Sequence, residues 1–154
     1  MLCGLWLCMH QATAQAPEWS RLLQVPSYGN PSISCVAANR DYVATAGVFS
    51  GLLTYDGETM ESQGELRDLF VQLSSPEGGK LWMRQYSATV GVGPTAILVD
   101  ALDNTFITGS YNGEVTFGDF TLSGENSFLL KIDVYGKVQW AVSFSSIASS
   151  PRQI

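Results

Sequence analysis

The sequence predicts an all-β chain assembled from tandem four-stranded antiparallel units, and three observations carry that prediction. The first is composition. The 154 residues are 45% apolar and 14% charged, and glycine, threonine, serine, valine and aromatics outweigh the strong helix formers along most of the chain, the balance that suits a pleated, half-buried surface. The second is a self-match at a spacing of 62. "DYVATAGVFSGLLTYDGETM" (41–60) lies over "DNTFITGSYNGEVTFGDFTL" (103–122), with Asp41 on Asp103, Gly47 on Gly109, Phe49 on Tyr111, Gly51 on Gly113, Thr54 on Thr116 and Tyr55 on Phe117. The third is a recurring close of Gly-Lys followed by Trp, "GGKLW" at 78–82 and "YGKVQW" at 135–140.

From the N-terminus, the apolar run Leu2–Met9 followed by small residues reads as a secretory signal, with cleavage after Ala14 and a mature chain starting at Gln15. The run is too short for a membrane span. Removing 1–14 takes away Cys3, Cys8 and His10 and leaves Cys35 as the lone thiol, which excludes an internal disulfide. Cys35 aligns with Ile97 and is expected as a small buried hydrophobe.

The two units that follow, 15–82 and 83–140, are marked out by Trp19, Trp82 and Trp140. In the second, "TAILVD" (95–100), "TFITGS" (105–110) and "SFLLKID" (127–133) read as strands. "KVQWAVSF" (137–144) is expected to put Val138, Trp140, Val142 and Phe144 on one face by period-two alternation. A further short pair, "EVTF" and "FTL", is joined at Gly118-Asp119, and Asp103-Asn104, Asn112-Gly113 and Tyr135-Gly136 supply other bends. The first unit bends at Ser50-Gly51, Asp56-Gly57 and Gly78-Gly79. The tail 141–154 matches "MRQYSATVGVGPTAI" (83–97) and reads as the truncated start of a third unit.

A four-stranded antiparallel meander repeated at a fixed period describes a β-propeller blade, which buries its apolar face only against a neighbour. Two blades and a partial third do not close a ring. The chain is therefore expected to be the front of a longer protein or, failing that, to self-associate. The run "FITGSYNGEVTFG", then "FLLKID", then "YGKVQW" resembles the SBBP-type β-propeller repeat of secreted and surface proteins of bacteria. The likeness covers about 94–140 closely. It covers the first unit more loosely, where Val36-Ala37-Ala38 replaces Leu98-Val99-Asp100 and Gln72 replaces Lys131. The resemblance implies tandem blades in large extracellular proteins and transfers no catalytic residue. The Gly-Lys-x-x-Trp close is also similar to the quinoprotein-type propeller repeat.

Little in the mature chain suggests chemistry. Without His10 there is no histidine for a Ser-His-Asp or Cys-His arrangement or for a His-dependent zinc site. "GVGPTA" (91–96) reads as a loop before a strand and lacks the strand-to-helix setting of a phosphate cradle. Asp56, Glu58, Glu61, Glu65 and Asp68 crowd the loop-rich part of the first unit and would suit glycoside hydrolysis if paired, but loops of a secreted acidic domain are normally carboxylate-rich for solvation, and that is the reading preferred. Asp100, Asp103 and Asn104 offer oxygens to Ca²⁺, yet turn chemistry accounts for them. Tyr28, Tyr86 and Tyr111 are weak candidates for stacking on a sugar, and Trp82 and Trp140 fit packing between units. The net charge of −6, without an acidic run, argues against nucleic acid and against an anionic membrane surface as partner.

The expectation is a secreted or cell-surface, non-catalytic propeller module without catalytic, cofactor-binding or metal residues. It would bind a protein or glycan through the segments 56–68 and 110–125. The alternative is the propeller segment of a larger secreted hydrolase whose catalytic residues lie elsewhere.

Overall fold

The computed structural model describes residues 30–63 and 66–144. The signal expected at 1–14, with Cys3, Cys8 and His10, lies outside these residues, as do Trp19, Tyr28, Glu65 and the tail from 145. The described residues form strands and no helix, so the protein is all-β. In the first sheet β1 (Ser32–Ala38), β2 (Val43–Phe49), β5 (Asp68–Ser74) and β6 (Lys80–Tyr86) are neighbours in that order, with the hairpin of β3 (Leu52–Tyr55) and β4 (Glu58–Glu61) inserted between β2 and β5. The second sheet places β7 (Gly91–Val99), β8 (Thr105–Phe117), β9 (Phe120–Ile132) and β10 (Val138–Phe144) side by side. All pairings are antiparallel.

The sequence repeat is a structural repeat down to its irregularities. The first strand of each sheet shifts register once, between Ile33 and Cys35 and between Pro94 and Ala96. The last strand does so too, between Ser74 and Leu73 opposite Lys80 and Trp82, and between Val138 and Trp140. Thr54 and Thr59 share a hydroxyl hydrogen bond of 2.9 Å across the β3–β4 hairpin, as Thr116 and Thr121 do at 3.1 Å across the outer ends of β8 and β9. The final hairpins match as well: Ser75 N–H donates to Gly79 O, and Asp133 N–H to Lys137 O.

Strand pairing corrects several alignments. The bulge at Gln139 reverses the phase of β10, so Val138 pairs with Ile132 and is buried, while Trp140, opposite Lys131, points to the other face with Val142 and Phe144. Plain alternation across 138–144 is broken by that one extra residue. The β7–β8 turn is one residue longer than the β1–β2 turn, and this moves the counterpart of Cys35 from Ile97 to Ala96. Cys35 stands opposite Ala46 and Ala96 opposite Thr108, and Cys35 is half-buried against the core. Val36-Ala37-Ala38 accordingly answers Ile97-Leu98-Val99. Likewise Gln72 pairs with Thr45 and Leu130 with Ile107, so Gln72 takes the place of Leu130, and Leu73 takes that of Lys131.

Two local expectations also change. Residues 91–94 are the first part of β7 rather than a loop, paired with Asn112 to Gly109 of β8. Pro94 is tolerated there because β7 is an edge strand with one side unpaired. The "EVTF"/"FTL" pair is continuous with β8 and β9 in the second unit, whereas its counterpart β3–β4 forms a separate two-stranded sheet in the first.

The main core lies between the two sheets. Ala44, Ala46, Leu69, Val71, Leu73, Trp82 and Tyr86 of the first meet Val92, Val99, Ile107, Phe128, Leu130 and Ile132 of the second. Tyr86 packs edge-on to Phe117 at 5.1 Å between centroids, and Phe117 lies 4.9 Å from Phe128. Aromatic pairs at such spacings add about 0.5–1.5 kcal/mol beyond their burial. Trp82 crosses the interface, donating from Nε1 to Val134 O at 2.9 Å, and Arg84 Nε donates to Gly136 O at 3.1 Å. A smaller cluster of Phe49, Leu53, Phe70 and Met83 forms where the β3–β4 hairpin folds over the far face of the first sheet.

Candidate binding groove

At one end of the interface between the sheets lies an open groove of about 450 Å³. The start of β7 contributes Gly91 and Gly93, the middle of β8 Ser110 and Asn112, and the middle of β9 Glu125, Asn126 and Ser127. Leu66 enters from the connection before β5. Apolar Leu66, Val90 and Val92 share the lining with backbone and short polar side chains, because the pleats of β8 alternate between core and solvent. Tyr111 points inward and is buried, its Oη 2.8 Å from Ser143 Oγ and donating to Ser123 O at 3.2 Å. Its neighbours Ser110 and Asn112 point outward and are exposed. The groove thus offers amide and hydroxyl groups beside one carboxylate, a lining suited to hydrogen bonding a neutral, polar, extended ligand.

The two segments expected to carry contacts, 56–68 and 110–125, are mostly strand rather than loop: β4 and the outer halves of β8 and β9. Leu66 of the one and Ser110, Asn112 and Glu125 of the other meet at the groove.

Of the acidic residues of the first unit, Glu58 and Asp68 have separate partners. Asp56 sits at φ 49° beside Gly57 at φ 77°, the two positive-φ positions of a tight hairpin turn. Glu58 pairs with Lys80 at 2.8 Å. Asp68 is buried in spite of its charge, and its Oδ2 accepts from Gln63 N–H at 2.9 Å, Gln85 Nε2 at 2.6 Å and Ser87 Oγ at 2.6 Å. Those bonds tie the chain before β5 to β6 and the segment that follows it. Sequence reasoning counted Asp68 among the loop acids, and only the pairing of Asp68 with Phe49 reveals that it opens a central strand.

Asp100 organises its own turn, its Oδ1 accepting from the backbone of Leu102 and Asn104, both at 2.8 Å. The Asn104 side chain, and then these backbone donors and Lys131, hold the Asp100 carboxyl below its ordinary range. Asp103, at φ 63°, accepts at Oδ1 from Asn39 Nδ2 at 2.8 Å. Among the described residues no group of three or more His, Cys, Asp or Glu side chains is placed to hold a metal ion.

Of the aromatic candidates, Tyr86 and Tyr111 are core residues. Tyr86 is 6% exposed and Tyr111 3% exposed, so neither presents a ring face to a sugar. Burial pushes the Tyr86 hydroxyl up to about 12, against a partial opposing effect of Arg84. Trp82 is buried at the interface, while Trp140 is half-exposed and lies edge-on to Phe106 at 6.0 Å.

No protein-family model matches this sequence, and no curated protein is significantly similar to it.

Proposed function

We propose that the chain is a pair of adjacent β-propeller blades of the SBBP type, exported to the cell surface or secreted, and that it works as a non-catalytic binding module. The observation that carries the blade reading is the way the two meanders meet. Like elements are neighbours: β7 packs on β1 and β2, and the β1–β2 turn bonds to the β7–β8 turn through Asn39 Nδ2 to Asp100 O and Asp103 Oδ1. Two units related by a flip would bring unlike ends together. Units related by rotation about a common axis bring like ends together, and successive rotations of that kind generate a propeller.

The binding reading rests on the groove. Its mixed wall, with the uncharged polar side chains Ser110, Asn112, Asn126 and Ser127 beside apolar Leu66, Val90 and Val92, favours a glycan or an extended peptide over a nucleic acid or an anionic surface. The test is a glycan-array and peptide-library screen of the purified chain, repeated with Asn126→Ala and Glu125→Ala. Retained ligand that both substitutions weaken supports the proposal. Turnover of a chromogenic glycoside by the purified chain, lost on substituting Asp56 or Glu58, would replace it with the hydrolase reading.

A further inference from the structure

Where the two sheets meet beside the β9–β10 turn, Arg84 of β6 stands between two open hollows. It lines one of about 370 Å³ with Gly136, Lys137 and Asp119, and one of about 450 Å³ with Trp82 and Glu58, while Tyr135 borders both. Arg84 is half-buried, and its guanidinium lies 5.8 Å from the centre of the Trp82 ring. Nε donates to Gly136 O at 3.1 Å and Nη1 to Met83 O at 2.9 Å. Nη2 has no hydrogen-bond partner among the described residues. It is open to solvent, since the buried side-chain atoms without partners there belong to Gln72 and Thr105. A β-carbon on Gly136 would come within 2.9 Å of Nη2, which puts that nitrogen at the wall of the smaller hollow. Arg84 also lacks a carboxylate: the ion pair among the described residues joins Glu58 to Lys80.

The internal repeat supplies a second, independent observation. Arg84 stands opposite Val71 as Val142 stands opposite Leu129, so the second unit carries valine at the position of Arg84. The turns match through Gly78 N–H to Ser75 O and Gly136 N–H to Asp133 O, which sets Tyr135 on Glu77 and Lys137 on Gly79. The strand and the turn therefore form without an arginine, a tyrosine or a lysine at these places. Tyr135 is 82% exposed, yet its backbone is pinned, because Asp133 Oδ1 accepts from the N–H groups of Tyr135 and Lys137, both at 2.9 Å. Folding alone gives no reason to hold an aromatic ring in water beside two cations.

We propose that this junction binds a carboxylated pyranose, a uronic acid residue of a glycan. The carboxylate accepts from Arg84 Nη2, a charge-assisted bond stronger than one between neutral groups, and the Lys137 ammonium adds attraction. The C–H face of the sugar ring lies on Tyr135, whose π-face is the negative side of the ring. In the smaller hollow two cations, Arg84 and Lys137, stand against one carboxylate, Asp119, and in the larger one Glu58 is neutralised by Lys80. That balance suits one negative charge and not a polyanionic segment. None of these residues lines the groove beside Asn112 and Asn126, so the two sites are separate.

The probe is the methyl glycoside of glucuronic acid, titrated into the full chain while the Tyr135 ring and the Arg84 Nε–H are followed by NMR. The methyl glycoside of glucose, acetate and N-acetylglutamate amide are titrated beside it. The expected result is a saturable shift of both signals with the glucuronide, and binding of the glucoside weaker by about tenfold or more for want of the charged bond. Tyr135→Ala removes an exposed side chain and should weaken the glucuronide by about three- to tenfold in a folded chain. Arg84→Val, which installs the residue of the equivalent Val142 position, should abolish the response. Absence of a saturable shift, glucoside or acetate bound as tightly as the glucuronide, or undiminished affinity in Tyr135→Ala would each overturn the site. Equal affinity for N-acetylglutamate amide would overturn the sugar in favour of an acidic peptide. Should Arg84→Val fail to fold, the wild-type titrations and Tyr135→Ala decide.

Discussion

The ring of Phe128 lies against the bare backbone of Gly109, so close that a β-carbon on the glycine would come within 2.6 Å of the ring's Cε1 and would also strike Gly93 O. Phe70 and Gly47 repeat the arrangement in the first sheet, at 2.7 Å from the ring and against Ser32 O. Both pairs face each other across neighbouring strands. The phenyl ring fills the space that a side chain on the middle strand would otherwise take, and this accounts for glycine and phenylalanine being retained in both copies while their surroundings vary.

Gly109→Ala should therefore destabilise the protein by about 3 kcal/mol or more, at the upper end of overpacking, because one of the two obstacles is backbone and has nowhere to move. Phe128→Leu should not rescue it, since the clash with Gly93 O remains. Gly57→Ala is the control. Nothing lies within 4 Å of its added carbon, and only its φ of +77° opposes the change, so a loss of about 1–2 kcal/mol is expected. Urea unfolding of the three variants orders them, and equal losses at Gly57 and Gly109 would refute the packing argument.

Trp82 and Trp140 occupy one repeat position in two environments. Trp82→Ala should cost about 3–5 kcal/mol for a large buried side chain. Trp82→Phe should cost roughly 1–2 kcal/mol for the bond to Val134 O. Trp140 is half-exposed and rests on Phe106, and its alanine variant should lose less than half as much as that of Trp82. Thermal unfolding followed by circular dichroism measures the difference. Comparable losses at the two positions would mean that contact with the neighbouring sheet is not what distinguishes them.

Asp68 concentrates three donors on one buried oxygen. Asp68→Ala strands the Gln63 N–H, the Gln85 amide and the Ser87 hydroxyl together, and about 2–4 kcal/mol should be lost. Asp68→Asn keeps the shape but turns one acceptor into a donor, and should recover only part of that. Glu58→Gln breaks the exposed pair with Lys80 and should change stability by no more than about 1 kcal/mol. If Glu58→Gln proved the more damaging in denaturant titrations, the weight assigned here to the buried carboxylate would be wrong.

The strand content and the turns were legible in the sequence because they rest on local chemistry. Alternating apolar residues mark β8, and Asp56-Gly57 and Tyr135-Gly136 each place a residue at positive φ where a bend was read. What escaped was set by single-residue insertions. A bulge at Gln139 costs nothing recognisable in composition, yet it sends Val138 and Trp140 to opposite faces. One added residue in the β7–β8 turn shifted Cys35 from Ile97 to Ala96, and the same kind of slip hid the position of Gln72 opposite Thr45. The groove was half visible: its outward residues Asn112 and Glu125 fell in a segment read as a contact surface, but Gly91 and Gly93 were read as a loop and belong to an edge strand. The burial of Asp68 leaves no mark in sequence, since a carboxylate held by three neutral donors looks the same as one held by water.

The pH dependence of stability should have opposite signs at its two ends. Tyr86 loses its proton less readily in the folded chain, where burial raises it to about 12 from an ordinary 10. Its contribution is fully present below pH 10. Between pH 10 and about 12 the unfolded chain binds fewer protons than the folded one, so stability falls by about 1.4 kcal/mol per pH unit, roughly 2–3 kcal/mol in all. Tyr86→Phe has no hydroxyl to ionise and should flatten this alkaline decline while changing little at pH 7. Asp100 acts at the other end. Its carboxyl is held below its ordinary value of 3.8, first by the Asn104 side chain. The stability it contributes is present above that value and is lost as pH falls through the lower folded one. Asn104→Ala should remove the main cause of the shift and make the acid limb shallower, leaving the alkaline limb unchanged. Urea midpoints measured from pH 2 to pH 12 test both. A Tyr86→Phe variant that still loses stability between pH 10 and 12 as steeply as the parent would show that another group governs the alkaline limb.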